Sequence, residues 1–274
     1  HLDEVLHAYS EGSQDTSLMT FCQSHHITYK FVPNIGGIYG ANVHTSLYGG
    51  VPVLELQQTP LDGWGRILKR VVDFITSLFA LVFLAPFFLV LGVVIKITDP
   101  GPVFYAHERL SRTGKKIRVY KFRSMKAAYC SGGKYDGKSP EEVLAGFGDP
   151  KLLVEFKKYQ KIKKDPRVSR LGRFLRKTSV DELPQLFNVL KGDLSLVGPR
   201  PIIDSELERY GGAGGKFLAI KPGLTGLWQA YGRNDIGYDE RVKLDIYYVE
   251  NWSVWLDISI LWRTLGVILG GRGY

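Results

Sequence analysis

Residues 74–95 contain no charged side chain and are almost wholly apolar. As a helix, such a run has about the 20 residues needed to cross the hydrocarbon core of a bilayer. Any fold of this chain must therefore give it an apolar partner. Pro86 stands near its middle, where it removes a backbone donor and clashes with the preceding turn. Both flanks are basic: Arg66, Lys69 and Arg70 precede the run, and Lys96, Arg109, Arg112, Lys115 and Lys116 follow it. Cations gather on the cytoplasmic side of a membrane, so both ends read as lying on one face. Three arrangements stay open on these residues. One is a helix–break–helix that enters a leaflet and returns. Another is a straight span whose freed backbone group is satisfied by neighbours. The third is a buried helix of a soluble core. Asp73, within helical reach of Lys69 and Arg70, is expected to pair at the interface.

The second constraint is a dense basic tract that runs into an acidic pair. Arg170, Arg173, Arg176 and Lys177 lead to Asp181 and Glu182. Ser179-x-x-Glu182 has the form of a capping box, and an apolar stretch follows from Leu183 until Lys191-Gly192. Asp181 and Glu182 are thus expected in a first helical turn, with Pro184 close to its start. An isolated Asp-Glu pair in that position ordinarily does no more than cap. So many cations beside it change the reading, because left unneutralised they repel one another. A diphosphate with a metal-bound nucleotide would balance them, and the planar guanidinium suits two phosphate oxygens at once. An ionised Asp181 is chemically able to attack phosphorus. Glu182 is suited to Mg²⁺, which takes one or two carboxylates along with phosphate oxygens and water. Downstream, Val197-Gly198-Pro199-Arg200-Pro201 is a stiff turn that fixes the Arg200 guanidinium at low entropic cost.

The rest of the chain reads as mixed helix and strand. Residues 103–109 and 117–123 form a hairpin about Thr113-Gly114, and the second strand carries Lys121 and Arg123 at its exit. Residues 127–150 are polar and Gly-rich, a loop or lid, and residues 151–164 are helical and basic. Residues 51–56 look like a strand, and residues 2–58 suit the end of an α/β unit. Near the C-terminus, Val254, Trp255, Ile258, Leu261, Trp262, Leu265 and Leu269 recur at helical spacing. With Trp252 they suit a helix in the headgroup layer or a core helix equally. The chain has 36 Lys and Arg against 27 Asp and Glu, a net charge of +9, which favours anionic partners. No groove-reading motif or stacking signature accompanies that charge, so nucleic acid is not an expected partner. Cys22 and Cys130 make no disulfide framework. His25, His26 and His44 have no metal-ligand spacing.

Over residues 68–274 the chain resembles the bacterial sugar transferases, the monotopic phosphoglycosyl transferases that pass a phosphosugar to a polyprenol phosphate. The resemblance rests on Lys69-Arg70-Val71-Val72-Asp73, on Pro86, on Tyr120-Lys121-Phe122-Arg123-Ser124-Met125 and on residues 174–193 around Asp181-Glu182. It continues through residues 197–201, 221–229 and 232–235, and it is nearest to the undecaprenyl-phosphate galactose phosphotransferase type. It implies an α+β fold: a monotopic membrane protein with a Pro-broken re-entrant helix at residues 61–98. A small mixed catalytic domain with a β-hairpin and interfacial amphipathic helices would follow at 99–274. Residues 1–60 would be the remnant of an upstream α/β domain plus linker. It implies Asp181 as nucleophile, Glu182 and Asp181 as the Mg²⁺ ligands, and Arg176, Arg200, Lys121 and Arg123 as substrate-binding residues. The implied partners are a UDP-sugar, undecaprenyl phosphate and membrane lipid at the cytoplasmic face of the inner membrane, with a homodimer suggested by the long members of the type. Galactose is the first expectation for the sugar, glucose the second, with an N-acetylated sugar as the alternative. At the membrane break the family often has Ser-Pro, whereas this chain has Ala85-Pro86.

Overall fold

The structure, a computed structural model, describes residues 4–8, 28–32, 42–48, 51–57, 59–61, 63–130, 139–159, 162, 165–231 and 236–270. Cys22, His25, His26 and the motif at 232–235 lie outside the described residues. The chain divides into two compact units, His1–Ala41 and Asn42–Tyr274. In the first, strands β1 (Glu4–Ala8) and β2 (Thr28–Val32) pair in parallel.

The second unit opens with the antiparallel pair β3 (Asn42–Tyr48) and β4 (Val51–Gln57). Helix α1 (Trp64–Thr98) follows, then the hairpin β5 (Phe104–Leu110) and β6 (Lys116–Phe122). Helices α2 (Pro140–Ala145), α3 (Pro150–Tyr159), α4 (Arg170–Lys177) and α5 (Gln185–Lys191) come next. After β7 (Ser195–Val197) come α6 (Asp204–Leu207) and α7 (Gly214–Ala219). Strand β8 (Gly223–Thr225) pairs in parallel with β7 and is followed by α8 (Leu227–Tyr231). Helices α9 (Tyr238–Glu250) and α10 (Val254–Leu269) complete the unit. The hairpin forms where the sequence places it, and its reversal uses left-handed backbone at Thr113 (φ 61°) and Gly114 (φ 75°). The C-terminal apolar stretch from Val254 to Leu269 is one helix, α10, capped by Ser253, whose Oγ accepts from the Leu256 amide at 3.1 Å.

The uncharged run lies inside α1, which is continuous across Pro86. Helical hydrogen bonding thus runs through the residue at which a break into two helices was expected, and a proline inside a helix is where such a helix bends. Proline has no amide to donate to the Val82 carbonyl, but it still accepts helical φ, and the turns on either side hold the helix together. One stripe of α1, from Lys69, Asp73, Ser77 and Leu81 to Phe88, Leu91 and Ile95, is buried. Leu81, Phe88, Leu91 and Ile95 join the main core with Phe122, Leu175, Val189, Tyr248 and Ile260. Phe88 meets the Phe122 ring edge-on at 5.2 Å. The opposite face leaves Phe79, Val82, Phe83, Leu89 and Val90 exposed. A helix apolar on its outer face as well as its inner one suits hydrocarbon surroundings, not water.

Both ends of α1 are fastened to the same body. At its start, Lys69 Nζ donates to Asp257 Oδ2 at 2.6 Å. Arg70 donates to the Val189 and Leu190 carbonyls, each at 2.7 Å. The Leu196 amide donates to Asp73 Oδ1 at 3.1 Å. Asp73 therefore receives a backbone amide from β7 in place of the pairing expected of it, because Lys69 bonds to Asp257 and Arg70 to the two carbonyls. Past the far end, Arg123 pairs with Asp99 at 3.1 Å, and the Ala127 amide donates to Asp99 Oδ2 at 2.7 Å.

Asp257 is the hub at the start. Besides Lys69 it accepts from Tyr248 Oη at 2.7 Å and from Trp252 Nε1 at 3.1 Å. Trp252 is consequently buried and is not one of the headgroup-facing indoles, whereas Trp255 and Trp262 are exposed. Asp257→Ala would leave the buried Lys69 ammonium without its carboxylate. We expect a loss of about 3–5 kcal/mol, read as a lowered thermal unfolding midpoint of the protein in nanodiscs.

Candidate active site

The site is assembled by one close contact. A Cβ on Gly172 would lie 1.8 Å from the Ser124 carbonyl oxygen, so only glycine lets α4 rest directly on the turn after β6. Ser169 caps α4, its Oγ accepting from the Gly172 amide at 2.8 Å. With α4 seated, Arg176 Nε donates to Ser124 Oγ at 2.9 Å. The guanidinium at the C-terminal end of α4 is thereby fixed in register with the exit of β6.

Between α4 and α5 the chain turns sharply. Ser179 adopts left-handed backbone (φ 56°) and is followed by a 3₁₀ turn, Val180–Glu182. Such a conformation is uncommon for a residue with a side chain. The expected capping box does not form: the Ser179 side chain makes no capping bond, and α5 begins only after Pro184. Freed from capping, Glu182 reaches back to the hairpin, where Lys121 Nζ donates to its Oε1 at 2.6 Å. Asp181 is buried, with 8 % of its surface exposed. Burial pushes its carboxyl up to about 6; Lys121 and Arg176 pull it down, and the Glu182 charge adds to the rise. The side chain thus sits among charged groups and is not packed away in the apolar core.

Alternate residues of β5 extend the site. Tyr105 lies opposite Lys121 in the hairpin register, and His107 and Arg109 follow on the same strand face. Burial, then the charges of Arg109 and Lys121, hold His107 down at about 4, so it is neutral near pH 7. Arg109 is part-buried and lies 3.6 Å from Glu206, within electrostatic reach of Arg200 and Glu182. Arg200 lies over the Trp228 ring at 5.8 Å, and Arg241 of α9 lies over the same ring at 4.7 Å. Burial first, then the Arg200 charge, disfavours protonation of both Arg109 and Arg241. Below them Tyr210 Oη donates to Asp245 Oδ2 at 2.8 Å, and burial pushes the Asp245 carboxyl up to about 7. Three guanidiniums crowded over so few ionised carboxylates make a ready seat for a polyanion.

Of the residues expected from sequence, Asp181, Glu182, Lys121 and Arg176 come together, and Arg200 joins them through Arg109. Arg123 does not. Its side chain is buried against Asp99 just past the end of α1, where it fastens that helix and is closed to substrate. Pro86 lies within α1, outside this cluster. Sequence reading missed Arg109 as a site residue and Arg241 altogether. The period of two along β5 could have found Arg109, since the hairpin places it on the face that carries Lys121. Arg241 had no local signal. Among the described residues no three metal-ligating side chains converge. Asp181 and Glu182 still meet the modest demand of Mg²⁺, which keeps most of its own waters and takes further oxygens from phosphate.

Comparison with known proteins adds an independent line. The family model described as bacterial sugar transferase matches residues 64–271. The undecaprenyl-phosphate galactose phosphotransferase of Salmonella typhimurium is 42% identical over 98% of this chain and 55% of its own length. The UDP-galactose-lipid carrier transferase of Erwinia amylovora is 42% identical over 88% of this chain and 49% of its own. The UDP-glucose:undecaprenyl-phosphate glucose-1-phosphate transferase of Klebsiella pneumoniae is 35% identical over 86% of this chain and 47% of its own. The chain spans about half the length of these relatives.

Proposed function

The chain belongs to the bacterial sugar transferase family, and from that premise we propose that it moves a hexose-1-phosphate from a UDP-sugar to undecaprenyl phosphate, releasing UMP. Galactose is the favoured sugar, because the two relatives at 42% identity carry galactose in their names; glucose stands second. This would be the first membrane step in building a surface polysaccharide, at the cytoplasmic face of the inner membrane.

The observation that carries the reading is Asp181: a buried carboxylate within electrostatic reach of Lys121 and Arg176, on a body that holds both ends of an apolar helix. An α1 that crossed the bilayer would carry its two ends to opposite sides. Here Lys69, Arg70 and Asp73 at one end, and Asp99 at the other, bond to one folded unit. That supports a helix entering and leaving by the same face.

Chemistry follows from the groups present. Asp181 Oδ attacks the phosphorus bonded to the sugar; the bond to the UMP oxygen breaks, and its electron pair leaves with UMP. An oxygen of undecaprenyl phosphate then attacks the aspartyl phosphosugar, and the Asp181 carboxylate departs unchanged. Arg109, Arg200 and Arg241 hold the diphosphate, and Lys121 and Arg176 hold Asp181 ionised and aimed. Glu182, with Asp181, would hold Mg²⁺, which when bound would neutralise phosphate charge. The test is exchange of labelled UMP into the UDP-sugar with no lipid acceptor present, run over a panel of UDP-sugars. Exchange is required by the two-step scheme, and its absence in an active preparation would leave direct transfer instead.

A pH dependence follows. The attacking form is the carboxylate, and the folded value for Asp181 is about 6. Above it the nucleophile is ionised; below it the exchange rate should fall about tenfold per pH unit. The same upward shift from 3.8 makes ionisation unfavourable for the fold, so its contribution to stability declines as pH rises from 3.8 to about 6. A pH profile of exchange, with folding followed in parallel, separates the two.

A further inference from the structure

A second group of cations converges at the opposite end of α5 from Asp181. Gly192 closes that helix in left-handed backbone (φ 92°), and a Cβ there would lie 3.2 Å from the Arg70 guanidinium and 3.4 Å from Lys221 Nζ. Arg70 is engaged with the Val189 and Leu190 carbonyls. Lys221 is half-buried, and no hydrogen bond or ion pair of its ammonium is found among the described residues. Burial, then the charges of Arg70 and Arg112, disfavour its protonation, against only partial relief from Asp73 and Asp193. Arg112 Nε is buried and also lacks a hydrogen-bond partner. The carboxylates within reach are committed: Asp193 pairs with Lys191 at 3.0 Å, and Asp73 accepts the Leu196 amide. A buried donor without an acceptor is costly, and Arg112 Nε together with the half-buried Lys221 ammonium points to one anion.

What surrounds them narrows its chemistry. Arg70 lies over the Phe74 ring at 5.6 Å. Ile67 and Phe74, three residues before and four after it on the same helix face, are exposed large apolar side chains. An anion that binds here has hydrocarbon surface beside it. We infer that Lys221, Arg112 and Arg70 form a site for the phosphate of a lipid, its chain lying along the exposed face of α1. The inference rests on the membrane-seated reading of α1 given above. The length of α5, about 10 Å at 1.5 Å per residue, separates a phosphate held here from Asp181, so it is out of reach of the reacting atoms while it stays in this site. Its source is either an anionic phospholipid of the surrounding bilayer or the polyprenyl phosphate acceptor held before transfer.

The experiment compares the full chain with Lys221→Gln and Arg112→Gln in nanodiscs. In one arm, phosphatidylglycerol is raised in phosphatidylcholine at fixed undecaprenyl phosphate. In the other, undecaprenyl phosphate is varied in phosphatidylcholine alone. UMP exchange without acceptor is followed throughout. Loss of stimulation by phosphatidylglycerol in the variants identifies the bulk phospholipid. A rise of about fivefold in KM for undecaprenyl phosphate, the scale of one basic residue near an anionic surface, identifies the acceptor. Variants that match the wild type in both arms overturn the site. Failure of exchange in the wild type would sink the proposed function instead, and leave phosphatidylglycerol binding, read by co-purified lipid, to decide the site. Should Lys221→Gln alone lose exchange, its fold has been disturbed, and Arg112→Gln decides by the same two arms.

Discussion

Asp181→Asn is expected to lower turnover by on the order of 10⁴-fold, the scale seen when a nucleophile is removed from a preorganised site. The amide has the size of the carboxyl but not its nucleophilic electron pair. UMP exchange and covalent trapping of sugar phosphate should vanish together, because both report the first step. Folding should survive, since burial already opposes the ionised form of this side chain. Appreciable exchange in a pure Asp181→Asn preparation would remove Asp181 from the role of nucleophile. Glu182→Gln supplies the contrast. It frees Lys121 from its 2.6 Å partner but leaves the attacking group in place, so trapping should persist, at a slower rate.

The second large effect is expected at Arg109. This guanidinium lies within electrostatic reach of both Glu182 and Arg200, where it would meet the charge of a bound diphosphate. Arg109→Gln should reduce kcat/KM for the UDP-sugar by about 10²–10³-fold, the usual consequence of losing one preorganised contact to developing charge. Inhibition by UMP should weaken in parallel, while inhibition by uridine, which has no phosphate, should not change. An unaltered KM with intact UMP inhibition would assign Arg109 to the ion pair with Glu206 alone. The variant is not expected to unfold, because burial and the Arg200 charge already work against this cation.

Much of this architecture was legible in the chain, for reasons that differ from part to part. The hairpin announced itself through Thr113-Gly114, since a tight reversal needs left-handed backbone. The uncharged run announced its apolar surroundings by length alone. Local rules failed where distant groups competed. Ser179 and Glu182 have the spacing of a capping box, but a 3₁₀ turn and the pull of Lys121 from the hairpin redirected both. Arg123 was grouped with Lys121 because residues two apart in a strand share a face, but β6 ends at Phe122, and Arg123, past that end, turned to Asp99. Pro86 was read as a break, and the helix carries it. Arg241 entered the site only because α9 packs against the Trp228 ring, a contact between residues that no local window joins.

The fastening of α1 at both ends has a consequence for how reactants meet. On the proposed function, a carboxylate on a body fastened to both ends of an inserted helix would have its height above the oily layer set by the chain itself. A phosphate carried on a hydrocarbon tail is confined to nearly that height as well. The search between them is then reduced from a volume to a plane, and the encounter depends on surface density and not on bulk concentration.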